Sequence, residues 1–180
     1  FPLPGWQPKG GYIIDRALIF ALIRQESKFK ATARNRSGAR GLMQLMPGTA
    51  RFAARQERIT GVNSHTLLNP ELNIALGQSY VQHLLTQDVV DGNIFYLLYA
   101  YNAGPGNLKK WLPKTNFNED PLLFIESIRS RETRQFIERV IANYWIYRMR
   151  LRQPTPSLDA TASGLWPNYS PQERNFAENE

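Results

Sequence analysis

At 180 residues the chain has one domain's length, and its 42% hydrophobic and 21% charged residues suffice for an ordinary buried core rather than a disordered chain. It has no cysteine, which excludes a disulfide scaffold, a thiolate metal site and a cysteine nucleophile, and its two histidines, His65 and His83, are too far apart for a histidine-built zinc centre. Twenty-two basic residues against fifteen acidic leave a net charge of +7, which favours polyanionic partners: nucleic acid, an anionic membrane or an acidic cell-wall polymer.

No apolar run approaches the ~20 residues a membrane span requires. The longest, 17–23 and 94–101, suit buried helices. The opening Phe1-Pro-Leu-Pro-Gly-Trp6 has neither an initiator methionine nor a basic-then-apolar leader and reads as a mature or excised piece. Asp15 caps a predicted helix from 16 to about 28, apolar all round over 17–23 and hence deeply buried. Pro47 opens a second helix through 55. Asn69-Pro70-Glu71 supplies a cap, a first-position proline and a first-turn acid for a helix with Leu72, Leu76, Tyr80 and Leu84 on one face.

Asn93 precedes a further apolar helix that the Gly104-Pro105-Gly106 breaker ends, and Asp120-Pro121 starts a short one through 128. Ser130 begins the longest helix. Its apolar stripe is Ile137, Val140, Ile141, Tyr144, Tyr147 and Leu151, and arginines 131, 134, 139, 148, 150 and 152 occupy the other face. From Gln153 the composition turns to Pro, Ser, Thr and Gly and reads as an extended tail (153–180) lying on the domain formed by 1–152, with a frayed acidic end at 175–180. No repeat and no alternating strand pattern occurs, so the predicted fold is mainly α, with little or no β structure.

One residue looks misplaced. Ile19, Leu22 and Ile23 form a stripe whose next members are Glu26 and Ser27. A carboxyl group held in apolar surroundings loses hydration, its pKa rises, and it becomes a candidate general acid near neutral pH. Pattern alone leaves a second reading open, in which Glu26 points outward and pairs with Arg24 or Lys30. Beyond it, two glycines flank a short apolar run in Gly38-Ala39-Arg40-Gly41-Leu42-Met43-Gln44-Leu45-Met46-Pro47, where backbone could approach an extended ligand. Gln44 offers an amide donor and an acceptor suited to sugar hydroxyls or acetamido groups, while Met43 and Met46 suit core filling.

Four separated segments then occur in order: Glu26-Ser27; 38–50, which continues Gly48-Thr49-Ala50; Ala100-Tyr101-Asn102-Ala103-Gly104-Pro105-Gly106; and Glu126-Ser127-Ile128 with Glu132-Thr133-Arg134. Over residues 12 to 150 the chain resembles the catalytic domain of the soluble lytic transglycosylases, whose lysozyme-like fold is related to goose-type lysozyme. The tail, with Trp166-Pro167, resembles the C-terminal extension of some bacterial members. In that family the domain often follows a large helical superhelix in a periplasmic protein.

The resemblance implies cleavage of the β-1,4 bond between N-acetylmuramic acid and N-acetylglucosamine in peptidoglycan, with Glu26 as the single acid and then base. It implies substrate contacts for Ser27, Asn35, Gln44, Met46, Tyr101, Asn102 and Glu132, with Tyr101 bonded to an acetamido group or to the acid itself, and a structural role for Glu126. It implies peptidoglycan glycan strands as partner, the bacterial periplasm as location, and no metal or organic cofactor.

Two positions depart from the family pattern. Asn35 stands where a serine is usual, and Lys30-Ala31 replaces an asparagine-proline pair. Nine basic residues against Glu26 and Glu57 between positions 24 and 58 suit an anionic wall. Two further readings stay open: a hydrolytic goose-type muramidase, and a non-catalytic cell-wall or nucleic-acid binding module using the arginines and aromatics of the last long helix. Those aromatics fall near the apolar stripe and no nucleic-acid motif occurs, which favours core packing over nucleic acid.

Overall fold

Among the described residues, five of the eight α-helices begin on proline, where the missing N–H has no partner to lose and the fixed φ is already helical. The other three, and two of the proline-led ones, are capped by a side chain: Asp15, Asn69, Asn93, Asp120 or Ser130 accepts a hydrogen bond from a first-turn amide. The computed structural model describes residues 1–170. In it the helices are α1 (Arg16–Ser27), α2 (Pro47–Gln56), α3 (Pro70–Leu85), α4 (Ile94–Ala103), α5 (Pro105–Trp111), α6 (Pro121–Ser127), α7 (Arg131–Arg150) and α8 (Pro156–Ala162). Short 3-10 turns occur at Thr66–Leu68 and Leu112–Lys114. Among the described residues there is no strand, only isolated bridges, so the fold is mainly α.

The apolar run of α1 is sealed, with every residue from 17 to 23 at most 1% exposed. It lies against α7, which contributes Phe136, Ile137, Val140, Ile141, Tyr144 and Tyr147 to the same core. On its other sides α7 meets α4 and α6, and α3 bridges α2 and α4. This arrangement pins both ends of α1: Asp15 at the start, and the last turn carrying Glu26 at the finish.

Four expectations are corrected. First, the tail is not simply extended. Thr155-Pro156 starts α8, Thr161 Oγ1 donates to the Ser157 carbonyl at 2.7 Å, and Trp145 Nε1 donates to Ser157 Oγ at 3.1 Å. A seven-residue helix whose one large apolar side chain is Leu158 shows too little apolar periodicity to be recognised. The chain beyond it packs Trp166 against Tyr96, Phe117 and Phe124, and pairs with the segment before α4 through Ile94 N–H to Pro167 O and Tyr169 N–H to Gly92 O. The acidic end at 175–180 lies outside the described residues.

Second, Gly104-Pro105-Gly106 both ends α4 and starts α5, because proline that stops one helix suits the first position of the next. Third, α3 is buried on nearly all sides rather than along one stripe, and the buried polar side chains Asn73, Gln78 and Ser79 break its apolar pattern.

Fourth, Arg148 is not on the solvent face of α7. It is 3% exposed, and its Nη1 donates to Asp15 Oδ2 at 3.0 Å and to the Tyr144 hydroxyl at 2.7 Å. Its Nε donates to the Pro154 carbonyl at 2.6 Å. The cluster ties the start of α1, the end of α7 and the tail into one polar knot. Removing one partner of such a pair strands a buried charge. Arg148→Met is expected to lower unfolding free energy by about 3–5 kcal/mol in urea titrations, and the Asp15→Asn/Arg148→Met double variant to recover most of that loss.

Candidate active site

Glu26 sits in the last turn of α1, which closes with Lys28 and Phe29 in left-handed conformation. The negative end of a helix dipole disfavours a further negative charge. The carboxyl is mostly shielded and accepts no hydrogen bond from any described residue. Desolvation, and secondarily the Glu132 carboxylate, push its pKa up from 4.5 to about 7. The pairing with Arg24 or Lys30 that would have made it an ordinary surface acid does not form: the ion pairs among the described residues are Arg134–Glu138 and Asp15–Arg148.

Around Glu26 the chain builds a depression of about 230 Å³. Its walls include Asn35 and the Gln44–Met46 segment from the glycine loop, Tyr80 from α3, Tyr101 and Asn102 from the end of α4, and Glu132 from the first turn of α7. A second depression of about 370 Å³ shares Glu26, Asn102 and Glu132 and adds Gln25, Arg131, Gln135, Phe136 and Arg139. A separate hollow of about 810 Å³ lies between the N-terminal segment, the loop after α2 and the start of α3, and none of these side chains lines it.

The glycine loop is held from below. Gly41 has φ +76°, and a Cβ there would run into the Asn73 amide and the Leu67 carbonyl. Asn73, fully buried, accepts from Met43 N–H at 2.8 Å and donates to the carbonyls of Arg40 at 3.1 Å and Leu67 at 2.9 Å. Both of its N–H donors and its oxygen are engaged, two of the three bonds on the loop and one on the Thr66–Leu68 turn. The Met43 carbonyl in turn accepts from the Tyr101 hydroxyl at 2.8 Å. The Met43 side chain closes the underside against Gly77, where any Cβ would strike its sulfur.

These bonds restrict what each side chain can offer. The Tyr101 proton is directed to Met43, so towards the cleft its oxygen is an acceptor. Burial, and then the nearby charge of Glu26, raise its pKa well above 10. Gln44 does not present a free donor, because its Nε2 donates to the carbonyls of Ala33 at 3.2 Å and Gly41 at 2.8 Å, leaving Oε1 as an acceptor. Asn35 is the reverse. Its Oδ1 accepts from Ala39 N–H at 2.8 Å, closing the loop and leaving Nδ2 to donate. The Asn102 amide has no partner among the described residues. Met46 is 43% exposed at the rim, unlike the buried Met43.

Ser27 stands apart: its hydroxyl is buried, donates to the Ile23 carbonyl at 3.1 Å and lines neither depression. Glu126 is exposed and also lines neither. Glu132, remote in sequence, is the second acid that the fold brings to Glu26. The sequence marks Tyr80 only as a member of an apolar helix face and gives no role to Asn73, although an asparagine between Leu72 and Ile74 is a usable signal. Among the described residues no three His, Asp or Glu side chains group together as a metal site would, and no helix is long and apolar enough to cross a membrane.

A lysozyme-like helical domain with one proton-retaining glutamate in a polar cleft defines the class, and comparison with known proteins gives the family. The chain belongs to the transglycosylase SLT domain family, whose model matches residues 7–124. It is 37% identical over 155 residues to the soluble lytic murein transglycosylase of Escherichia coli K12, covering 86% of this chain and 24% of that protein. A putative soluble lytic murein transglycosylase of Haemophilus influenzae is 30% identical over 81% of this chain and 24% of its own length.

The chain thus spans about a quarter of the length of these curated relatives. Among solved structures, the 70 kDa soluble lytic transglycosylase of Escherichia coli superposes with TM-score 0.73 at 37% identity, covering 78% of this chain and 22% of that one. An inactive mutant of the lytic transglycosylase Slt from Pseudomonas aeruginosa gives 0.72 at 40% identity, with the same coverage.

Because the folded state holds the Glu26 proton more tightly than the unfolded chain, stability falls as pH rises from 4.5 to about 7 and stays reduced above it. Glu26→Gln removes that penalty. The variant is expected to be more stable than the parent at pH 8, by up to about 3 kcal/mol, and to show no such gain at pH 4. Thermal melts of both proteins at the two pH values check this.

Proposed function

We propose that this domain is a peptidoglycan lytic transglycosylase, cleaving the β-1,4 bond between N-acetylmuramic acid and N-acetylglucosamine and leaving a 1,6-anhydromuramic end. The observation that carries the reading is the Glu26 carboxyl: shielded, without a hydrogen-bond donor, and half-protonated at about pH 7. In the protonated form it gives its proton to the glycosidic oxygen as the C1–O bond breaks. The resulting carboxylate then takes the proton of the muramic C6 hydroxyl, whose oxygen closes on C1. One group acts in both directions, no water is consumed, and the intramolecular hydroxyl needs no second nucleophile.

The remaining side chains fit this chemistry by what they have left to offer. Tyr101 and Gln44 present acceptors to an acetamido N–H or a sugar hydroxyl, and Asn35 and Asn102 present amide donors. Met46 gives the rim an apolar surface. The Glu132 charge helps keep the proton on Glu26. Two of the relatives carry murein transglycosylase in their names, and the Pseudomonas structure is of a glutamate-to-glutamine mutant described as inactive. The reading places the domain in the bacterial periplasm, where its substrate lies.

Glu132 also supports a rival. Most glycosidases use two carboxylates, and a second acid beside Glu26 suits the activation of water in a hydrolytic muramidase. Mass spectrometry of digested sacculi separates the two. Muropeptides lighter by one water, with anhydro ends, are expected; reducing ends as the main product overturn the assignment. Glu26→Gln is expected to lower turnover about a thousandfold.

Because the protonated form is the active one, turnover is expected to fall as pH rises through about 7. Glu132→Gln removes a like charge, eases deprotonation and should move that alkaline limb to lower pH. Loss of all activity without a shifted limb would assign Glu132 to the chemistry itself.

A further inference from the structure

The Tyr101 hydroxyl lies close enough to Glu26 to feel its charge, yet its proton goes to the Met43 carbonyl at 2.8 Å. The charged or titratable groups facing Glu26 are Arg131, Glu132 and Arg139 of α7, Tyr80 of α3 and Tyr101 of α4, and the glycine loop presents the amides of Asn35 and Gln44. On α1 itself the cations are turned away, Arg24 over the Phe1 ring and Lys28 into solvent. None of these groups donates to the carboxyl.

Local preference does not hold the Met43 carbonyl where Tyr101 needs it. The carbonyl belongs to the peptide joining Met43 to Gln44, and Gln44 sits at φ 46°. A residue with a side chain keeps such a left-handed conformation where its surroundings impose it. Rotating that peptide to give Gln44 an ordinary negative φ would turn the carbonyl away from Tyr101. The bond from Gln44 N–H to the Gly41 carbonyl is long, at 3.2 Å. Asn73 grips the turn on both sides, accepting from Met43 N–H at 2.8 Å and donating to the Arg40 carbonyl at 3.1 Å.

We propose that Asn73 is a positioning residue for the acid: by fixing the Met43–Gln44 peptide it keeps the Tyr101 proton on the Met43 carbonyl and off Glu26. A buried hydroxyl that loses its acceptor takes another within reach, and here that is the unsatisfied carboxyl. A carboxylate that gains such a donor is stabilised in its charged form and gives up its proton more readily. The consequence for turnover rests on the acid role proposed above for Glu26, whereas its proton affinity can be read without substrate.

The test follows the Glu26 carboxyl carbon by NMR titration in the parent and its variants, with Glu26→Gln identifying the signal. In the parent it is expected to titrate at about 7. Asn73→Ala should lower that by about one unit, the effect of one hydrogen bond to a charged group, and the alkaline limb of turnover should move with it. Tyr101→Phe alone should not raise it. Asn73→Ala/Tyr101→Phe should titrate with the Tyr101→Phe single variant. A double variant shifted as far as Asn73→Ala shows that water rather than Tyr101 reaches Glu26, and overturns the inference. An unmoved titration in Asn73→Ala, whatever its melting temperature, or a rise in Tyr101→Phe, overturns it too. Where Asn73→Ala does not fold, Asn73→Ser, which can keep one of the three bonds, is expected to show the same displacement in the same cycle. A parent Glu26 that titrates near 4.5 overturns instead the reading of the acid itself.

Discussion

A carboxyl group deprived of solvation is the constraint from which the rest of this structure takes its meaning. Carboxylates normally obtain hydrogen bonds from water, amides or cations, and Glu26 obtains none from the described protein. Three features act in the same direction: the apolar packing of α1, the negative end of its dipole and the Glu132 charge. Desolvation is the larger of the two shifts resolved, so the behaviour of the acid is set chiefly by packing and only then by its charged neighbour. The basic surface nearby does not neutralise it, since none of the surrounding arginines and lysines pairs with it.

The wall facing that acid is built differently. It is a loop, and loops are usually the mobile part of a site. Here its backbone is treated as a core element: Met43 is held through its N–H by Asn73 and through its carbonyl by Tyr101, and its side chain fills the space left by Gly77. α3 and α4 thus reach the loop by one polar side chain each. The same bonds fix which half of each polar group faces the cleft, so Tyr101 and Gln44 become acceptors and Asn35 a donor.

Much of this was legible beforehand, for reasons that can be named. Caps and first-position prolines are local, and Asp15, Asn69, Asn93, Asp120 and Ser130 all act as their sequence contexts predict. Glu26 is legible as a candidate because an acid interrupts an apolar stripe, and the resemblance carried by the flanking segments favours it over an outward-facing, ion-paired glutamate. What escaped was pairing at long range. Arg148 follows Tyr144 by four residues and Ile141 by seven, so helical spacing alone sets it on the apolar stripe, but nothing local shows that Asp15, at the start of α1, is the partner that lets a cation be buried there. The proximity of Glu132 to Glu26 depends on the return of α7 past α1, and Ser27 leaves the cleft because its hydroxyl turns back to its own helix. The sequence suggests that both halves of the Gln44 amide are available, because nothing local shows that two loop carbonyls claim its protons.

The pairing of α1 with α7 joins opposite ends of the described chain. During synthesis the seven apolar residues 17–23 emerge long before the helix that covers them, and such distant contacts form late because the intervening loop must first be closed. Until then, position 26 belongs to a solvated chain and titrates like any glutamate. Its unusual proton affinity is therefore a property of the finished molecule: the nascent polypeptide carries the acid's side chain but not its chemistry, and acquires that chemistry only when the last long helix docks.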